Sequence, residues 1–103
     1  MSTPNATPDT PAVAVLGPEL TISQAAAWRD QMLEWLADGR ATLRVDLGSV
    51  SEFDSAGVQL LLAARKSLAE RGGHLQITTA SSTVRDALRV FGLEPVLALE
   101  PAA

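Results

Sequence analysis

The chain contains no cysteine. That removes disulfides, thiolate metal sites and cysteine nucleophiles together, and it suits a reducing compartment. Aromatics make up only 4% of the residues, so Leu, Val, Ile and Ala must fill any core that forms. Positive charge is also scarce. Lys66 is the only lysine, the arginines are scattered, and the formal net charge is −4. With a pI near 4.7, the chain is poorly matched to nucleic acid or to an anionic membrane surface. No apolar run reaches the roughly 18 residues needed to span a bilayer. The N-terminus shows no basic stretch followed by an apolar run, the mark of a signal peptide. The expectation is a cytoplasmic protein with no membrane insertion and no nucleic-acid partner.

What is present is enough for one packed core: 47% hydrophobic residues in a chain of 103, a length that fits one domain and not two. Residues 2–11 hold three prolines and no large apolar side chain. Such a segment cannot bury enough surface to offset its ordering entropy, so residues 1–11 are expected to form a flexible tail and 12–103 the folded domain.

Ala12 to Leu16 is a short apolar run stopped by Gly17-Pro18, the pattern of a buried strand. Thr21-Ile22-Ser23-Gln24 matches a capping box, with Thr21 as N-cap and Gln24 at the third helical position. Ala25, Trp28, Met32, Trp35 and Leu36 then recur at helical spacing, predicting a helix over 22–38 ended by Gly39. Leu43, Val45 and Leu47 alternate with Arg44 and Asp46, as in a strand with one buried face. From Ser55 or Ala56 to Arg71 the pattern is helical until Gly72-Gly73, and Leu75, Ile77 and Thr79 give a third strand. Ser81 or Ser82 can cap a helix carrying Val84, Ala87, Leu88 and Phe91, which Gly92 stops. Val96 to Leu99, after Pro95, is a plausible last strand. Strands and helices that alternate in this way imply crossover connections and a mainly parallel sheet. The helices could cover one face of that sheet or both.

The segment richest in chemistry is Glu52-Phe53-Asp54-Ser55-Ala56-Gly57-Val58, which joins a strand pattern to a helix pattern. A hydroxyl in the first turn of a helix lies beside unsatisfied backbone N–H groups and the positive end of the helix dipole. A phosphate added there would arrive where anions are favoured. A purely structural reading stands beside this one. Asp54 or Ser55 can simply cap the helix, and Gly57 can let it pack close to a neighbour.

Asp54-Ser55-Ala56-Gly57, set after Val45-Asp46-Leu47 and before Leu60-Leu61-Leu62, resembles the signature of the STAS domain family (sulfate transporter and anti-sigma factor antagonist). The resemblance covers roughly residues 12–99. Gly17 to Leu20 is similar to the family's Gly-Glu-Leu turn, with Pro18 inserted, and Gly73 to Ser82 to its third strand and following helix. It implies an α/β single domain: a mainly parallel, four-stranded (mixed) sheet with about three helices packed on it. It also implies a non-enzymatic protein-binding module whose partner binding is controlled by phosphorylation of Ser55. The surface would comprise Glu19, Thr21, Asp54, Ser55, Ala56, Gly57 and Val58. The implied partner is a kinase-like anti-sigma factor or a histidine-kinase-type signalling protein. Two departures from anti-anti-sigma factors are visible. Thr21 stands where an aspartate is common, and Ala56 follows the acceptor where a second hydroxyl or a small residue is usual. The Glu-Leu-Thr-Ile and Ala-Gly-Val-Gln variant is more similar to stand-alone members among chemotaxis and two-component genes. The alternative implied function is a STAS subunit that stabilises the ATPase of a lipid-transport ABC complex.

Enzyme readings are weak. A serine nucleophile needs a nearby base, and the lone histidine, His74, reads as a solvent-edge residue at the start of a strand. No converging metal ligands, no phosphate-binding glycine loop and no cofactor motif are present. Trp28 and Trp35, seven residues apart, share a helix face. Core packing is their default role, and a half-exposed interface anchor the alternative.

Overall fold

The computed structural model describes residues 13–97 and Leu99. The tail expected over 1–11 lies outside the described residues. Five short strands and three helices follow in the order β1 (Val13–Val15), β2 (Glu19–Leu20), α1 (Ala25–Ala37), β3 (Thr42–Leu47), β4 (Glu52–Phe53), α2 (Ser55–Ala69), β5 (His74–Ala80) and α3 (Ser82–Val90). β1, β3 and β5 form a sheet in that order, and β2 and β4 form a separate two-stranded ribbon. Every described pairing is parallel, as crossover connections require. The expected last strand is represented by one parallel bridge from Leu99 to Ile77. A four-strand order is thus present in outline, with the fourth position barely paired among the described residues.

Alternation along the strands decides where the helices go. Ala14, Val45 and Ile77 pair across the sheet in one row and are buried, together with Leu43 and Leu47. They share a single core cluster with Met32 and Leu36 of α1, Leu61 and Leu68 of α2, and Val84 and Leu88 of α3. All three helices therefore cover the same face. On the other face, Val13 and Val15 of the edge strand are exposed, as is Gln76. The alternation fails once. The expected inward Thr79 is exposed and Ala80 is buried in its place. The register with β3 slips between Val45 and Asp46, so Thr78 is an extra residue, and its Oγ1 donates to the Val45 carbonyl at 3.2 Å. An inserted bulge residue shifts every later side chain to the opposite face.

The first helix is shorter than the expected 22–38. Residues 22–24 form a tighter turn, closed by Gln24 N–H donating to the Thr21 carbonyl at 3.0 Å, before the helix begins at Ala25. Only half of the capping box forms: Gln24 Oε1 accepts from Thr21 N–H at 3.1 Å. The Thr21 hydroxyl donates to that same oxygen rather than accepting from a backbone amide. At the far end of α1, the Arg71 guanidinium donates to the carbonyls of Leu36 at 2.7 Å and Arg40 at 3.0 Å. Those bonds tie the last turn of α1 and the loop after it to the end of α2. Ser81 is the residue that caps α3, its Oγ accepting from Val84 N–H at 3.2 Å.

Candidate functional site

The site is built where the β2–β4 ribbon meets the first turn of α2. Glu19 pairs with Glu52 and Leu20 with Phe53. The loop from Gly48 to Ser51 is drawn to the same corner, because Ser51 and Glu52 N–H both donate to the Pro18 carbonyl, at 2.8 and 3.2 Å. Such two-residue strands carry no periodic signal, which is why the sequence shows a turn at Gly17 to Leu20 and no ribbon.

Asp54 organises the corner. It is the N-cap of α2, in extended conformation, with Oδ1 accepting from Ala56 N–H at 2.9 Å. Its other oxygen, Oδ2, accepts from Ile22 N–H at 3.1 Å, a residue 32 positions away in the chain. One carboxylate thus fixes both the start of α2 and the turn that precedes α1. Gly57 explains how closely the parts approach. A Cβ at this position would lie 2.6 Å from the Leu20 carbonyl oxygen and 2.7 Å from the Phe53 ring. Only a residue without a side chain lets the helix rest on the ribbon here.

The seven residues singled out from the sequence separate into two groups. Ser55 and Glu19 are exposed, and Thr21, Asp54 and Ala56 are half-buried, all around one corner. Ser55 is the first residue of α2, directly after its cap. Gly57 and Val58, also expected among the partner-facing residues, are buried. Their positions turn them inward, Gly57 onto the ribbon and Val58 into the interior, so they shape the surface from beneath. Of the two candidate caps, the structure uses the aspartate. Asp54 does the capping, and that leaves the Ser55 hydroxyl on the surface.

Sequence reasoning missed Ile22 and saw in Gln24 only a capping residue. Gln24 Nε2 donates to Glu19 Oε1 at 3.3 Å, and Trp28 Nε1 donates to the Glu19 carbonyl at 2.9 Å. Trp28 and Trp35 are both half-buried, with ring centroids 6.4 Å apart and planes tilted by 34°. Trp28 therefore supports the ribbon as well as packing. No signal in a single sequence links residue 28 to residue 19, because the bond is to a backbone carbonyl. His74 is exposed at the first position of β5. Among the described residues, no group of acidic or histidine side chains could hold a metal ion, and no helix is long and apolar enough to cross a membrane.

A parallel α/β sheet with all helices on one face, and a short ribbon presenting a serine at a helix start, defines the class of domain. The particular family follows from the sequence match. The family model described as "Mlab, STAS domain" matches residues 2–99, and the chain belongs to the STAS domain family. No curated protein matches the sequence. Among solved structures, the chain is similar to an anti-sigma factor antagonist from Mycobacterium paratuberculosis, with a TM-score of 0.79 and 22% identity over 99% of this chain and 92% of that one. It is also similar to the anti-sigma factor antagonist SpoIIAA in its unphosphorylated form, with a TM-score of 0.72 and 24% identity over 86% of this chain and 78% of that one. At these identities the likeness is one of fold.

Proposed function

We propose that this chain is a non-enzymatic regulatory module that binds a protein partner through the corner around Ser55, and that phosphorylation of Ser55 releases the partner. The observation that carries the reading is the position of Ser55: exposed, first in α2, and directly after a cap residue whose carboxylate is already engaged. The description of one structural neighbour as an unphosphorylated form supports it. The partner is a kinase-like anti-sigma factor or a histidine-kinase-type signalling protein, and it supplies the catalysis. Ser55 Oγ attacks the γ-phosphorus of the partner's ATP and the bond to ADP breaks. The hydroxyl proton passes to a base on the partner. The product carries roughly −1.5 to −2 charge where the partner had met a neutral hydroxyl.

The test is incubation with the kinase-type proteins encoded nearby and ATP, followed by mass spectrometry and binding measurements. Label is expected on Ser55. Ser55→Asp is expected to weaken the complex, and Ser55→Ala to leave it intact and indifferent to ATP. The hydroxyl contributes only about 0.5–1.5 kcal/mol if hydrogen-bonded, whereas aspartate adds a full charge beside Asp54 and Glu52. Ser55→Asp binding as tightly as wild type, together with an unlabelled Ser55, would replace this reading by the second one. In that case the same corner serves a constitutive subunit that stabilises the ATPase of a lipid-transport complex.

A further inference from the structure

We infer that Ile22 is the apolar anchor of the docking surface around Ser55, and that the partner protein meets it with an apolar pocket rimmed by cationic side chains. The inference rests on the docking reading above and specifies the chemistry of the partner.

Exposure alone would not single out Ile22, because isolated apolar residues on a surface are ordinary. Ile22 is 74% exposed, and Val90 is more exposed still. What sets Ile22 apart is how it is held. Its N–H is bound to Asp54 Oδ2, and Ala56 N–H is bound to the other oxygen of the same carboxylate. The backbone of Ile22 and the first turn of α2, with Ser55 on it, thus lie within the span of one carboxylate group. The turn bearing Ile22 is closed by the bonds between Thr21 and Gln24, and Gln24 is in turn bonded to Glu19. An apolar side chain on a backbone pinned from both sides loses little freedom on binding, and that is the property of an effective anchor.

The charge pattern defines the rest of the partner surface. Glu19 and Glu52 are paired in register on neighbouring strands, and both are exposed. Like charges placed side by side on a ribbon destabilise it, and cations facing them in a complex would relieve that cost. From residue 19 to 24 and from 52 to 58 the chain has no basic residue. The partner's rim is therefore cationic opposite the glutamates and apolar opposite Ile22 and the half-buried Ala56. This division also accounts for release. Rim cations are taken up by Glu19 and Glu52, so a phosphate on Ser55 enters the apolar centre unpaired, where a dianion is poorly tolerated and a hydroxyl is not.

The experiment is titration of unmodified chain into a purified kinase-type anti-sigma factor from the same organism, at two ionic strengths. Ile22→Ala is expected to weaken binding by about 10- to 100-fold. Ile22→Val should fall within about threefold of wild type, since it keeps most of the apolar contact. Leu33→Ala, at an exposed apolar residue on α1, should leave affinity unchanged. Glu52→Lys should weaken binding and flatten its salt dependence. Circular dichroism on each variant separates loss of fold from loss of docking. Unchanged affinity for a folded Ile22→Ala, or equal losses for Leu33→Ala, overturns the anchor. Unaltered salt dependence in Glu52→Lys overturns the cationic rim. If that kinase-type protein binds but leaves Ser55 unlabelled, phosphorylation control fails on its own, and the titration still decides the anchor. Absence of binding by the wild-type chain overturns both proposals.

Discussion

The sheet and the Ser55 corner are held together by different means. The sheet is an apolar construction. Leu43, Val45 and Leu47 alternate inward from β3 and meet Leu61, Leu68 and Leu88 from the helices. Its stability comes from buried area, which is non-directional and spread over many side chains. The corner is held by directed bonds and a close backbone contact: Asp54 to Ile22 and Ala56, the indole of Trp28 to Glu19, and Gly57 against the Leu20 carbonyl. Buried area can be lost in parts. A missing hydrogen-bond acceptor or an added Cβ acts on one contact and repositions whole loops. The comparison teaches that the fold tolerates graded change in its core and is sensitive to single atoms where it presents its serine.

The largest test of this contrast is Gly57→Trp. With a backbone oxygen 2.6 Å from where even the Cβ would stand, the side chain has no room, and the helix must leave the ribbon. Loss of the folded circular-dichroism spectrum is expected. A folded Gly57→Trp protein would show that the close contact is dispensable. Next in size is Leu61→Ala, fully buried in the core cluster, expected to cost about 2–5 kcal/mol. The same holds for Leu88→Ala, and chemical denaturation measures both. A protein that kept its denaturation midpoint after either change would not have the core described above.

Asp54 gives a finer separation. Asp54→Ala removes the helix cap, a loss of about 0.5–2 kcal/mol, and also the bond to Ile22. Asp54→Asn can keep the cap through its carbonyl oxygen, while its amide nitrogen cannot accept from Ile22 N–H. Its stability loss should be the smaller of the two, with hydrogen exchange of the Ile22 amide accelerated and that of Ala56 little changed. Equal exchange at Ile22 in wild type and Asp54→Asn would mean the long-range bond does not hold the turn. The smallest stability effect is expected for Ser55→Asp. The residue is exposed, and the helix N-terminus favours the added charge by about 0.3–1 kcal/mol. A midpoint lowered by several degrees would place Ser55 within the packing rather than on the surface.

The two regions also differ in how far the chain alone disclosed them. Period-two burial in β3 and helical spacing from Val58 to Leu68 are written into consecutive residues, so the core and the element order could be read directly. The bulge at Thr78 could not, because Thr-Thr gives no sign of which residue is extra. At the corner, the motif disclosed Asp54 and Ser55 through their residue types and positions. It did not disclose that Gly57 and Val58 turn inward, since a glycine before an apolar run fits a surface turn and a tight contact equally well. Ile22 escaped notice for a related reason. Its importance lies in its amide, which every residue but proline possesses, and in a partner 32 positions away.

The bond from the Trp28 indole to the Glu19 carbonyl gives the molecule a built-in spectroscopic probe. The chain has two tryptophans and no tyrosine, so its ultraviolet-excited emission arises almost entirely from α1. Trp28 is bonded to the ribbon, and Trp35 lies one aromatic contact from it. Emission wavelength and near-ultraviolet dichroism can therefore follow the state of the corner in unlabelled protein. Replacing Trp35 by phenylalanine would isolate the signal of a single indole whose hydrogen bond ends on the strand that carries the acidic rim.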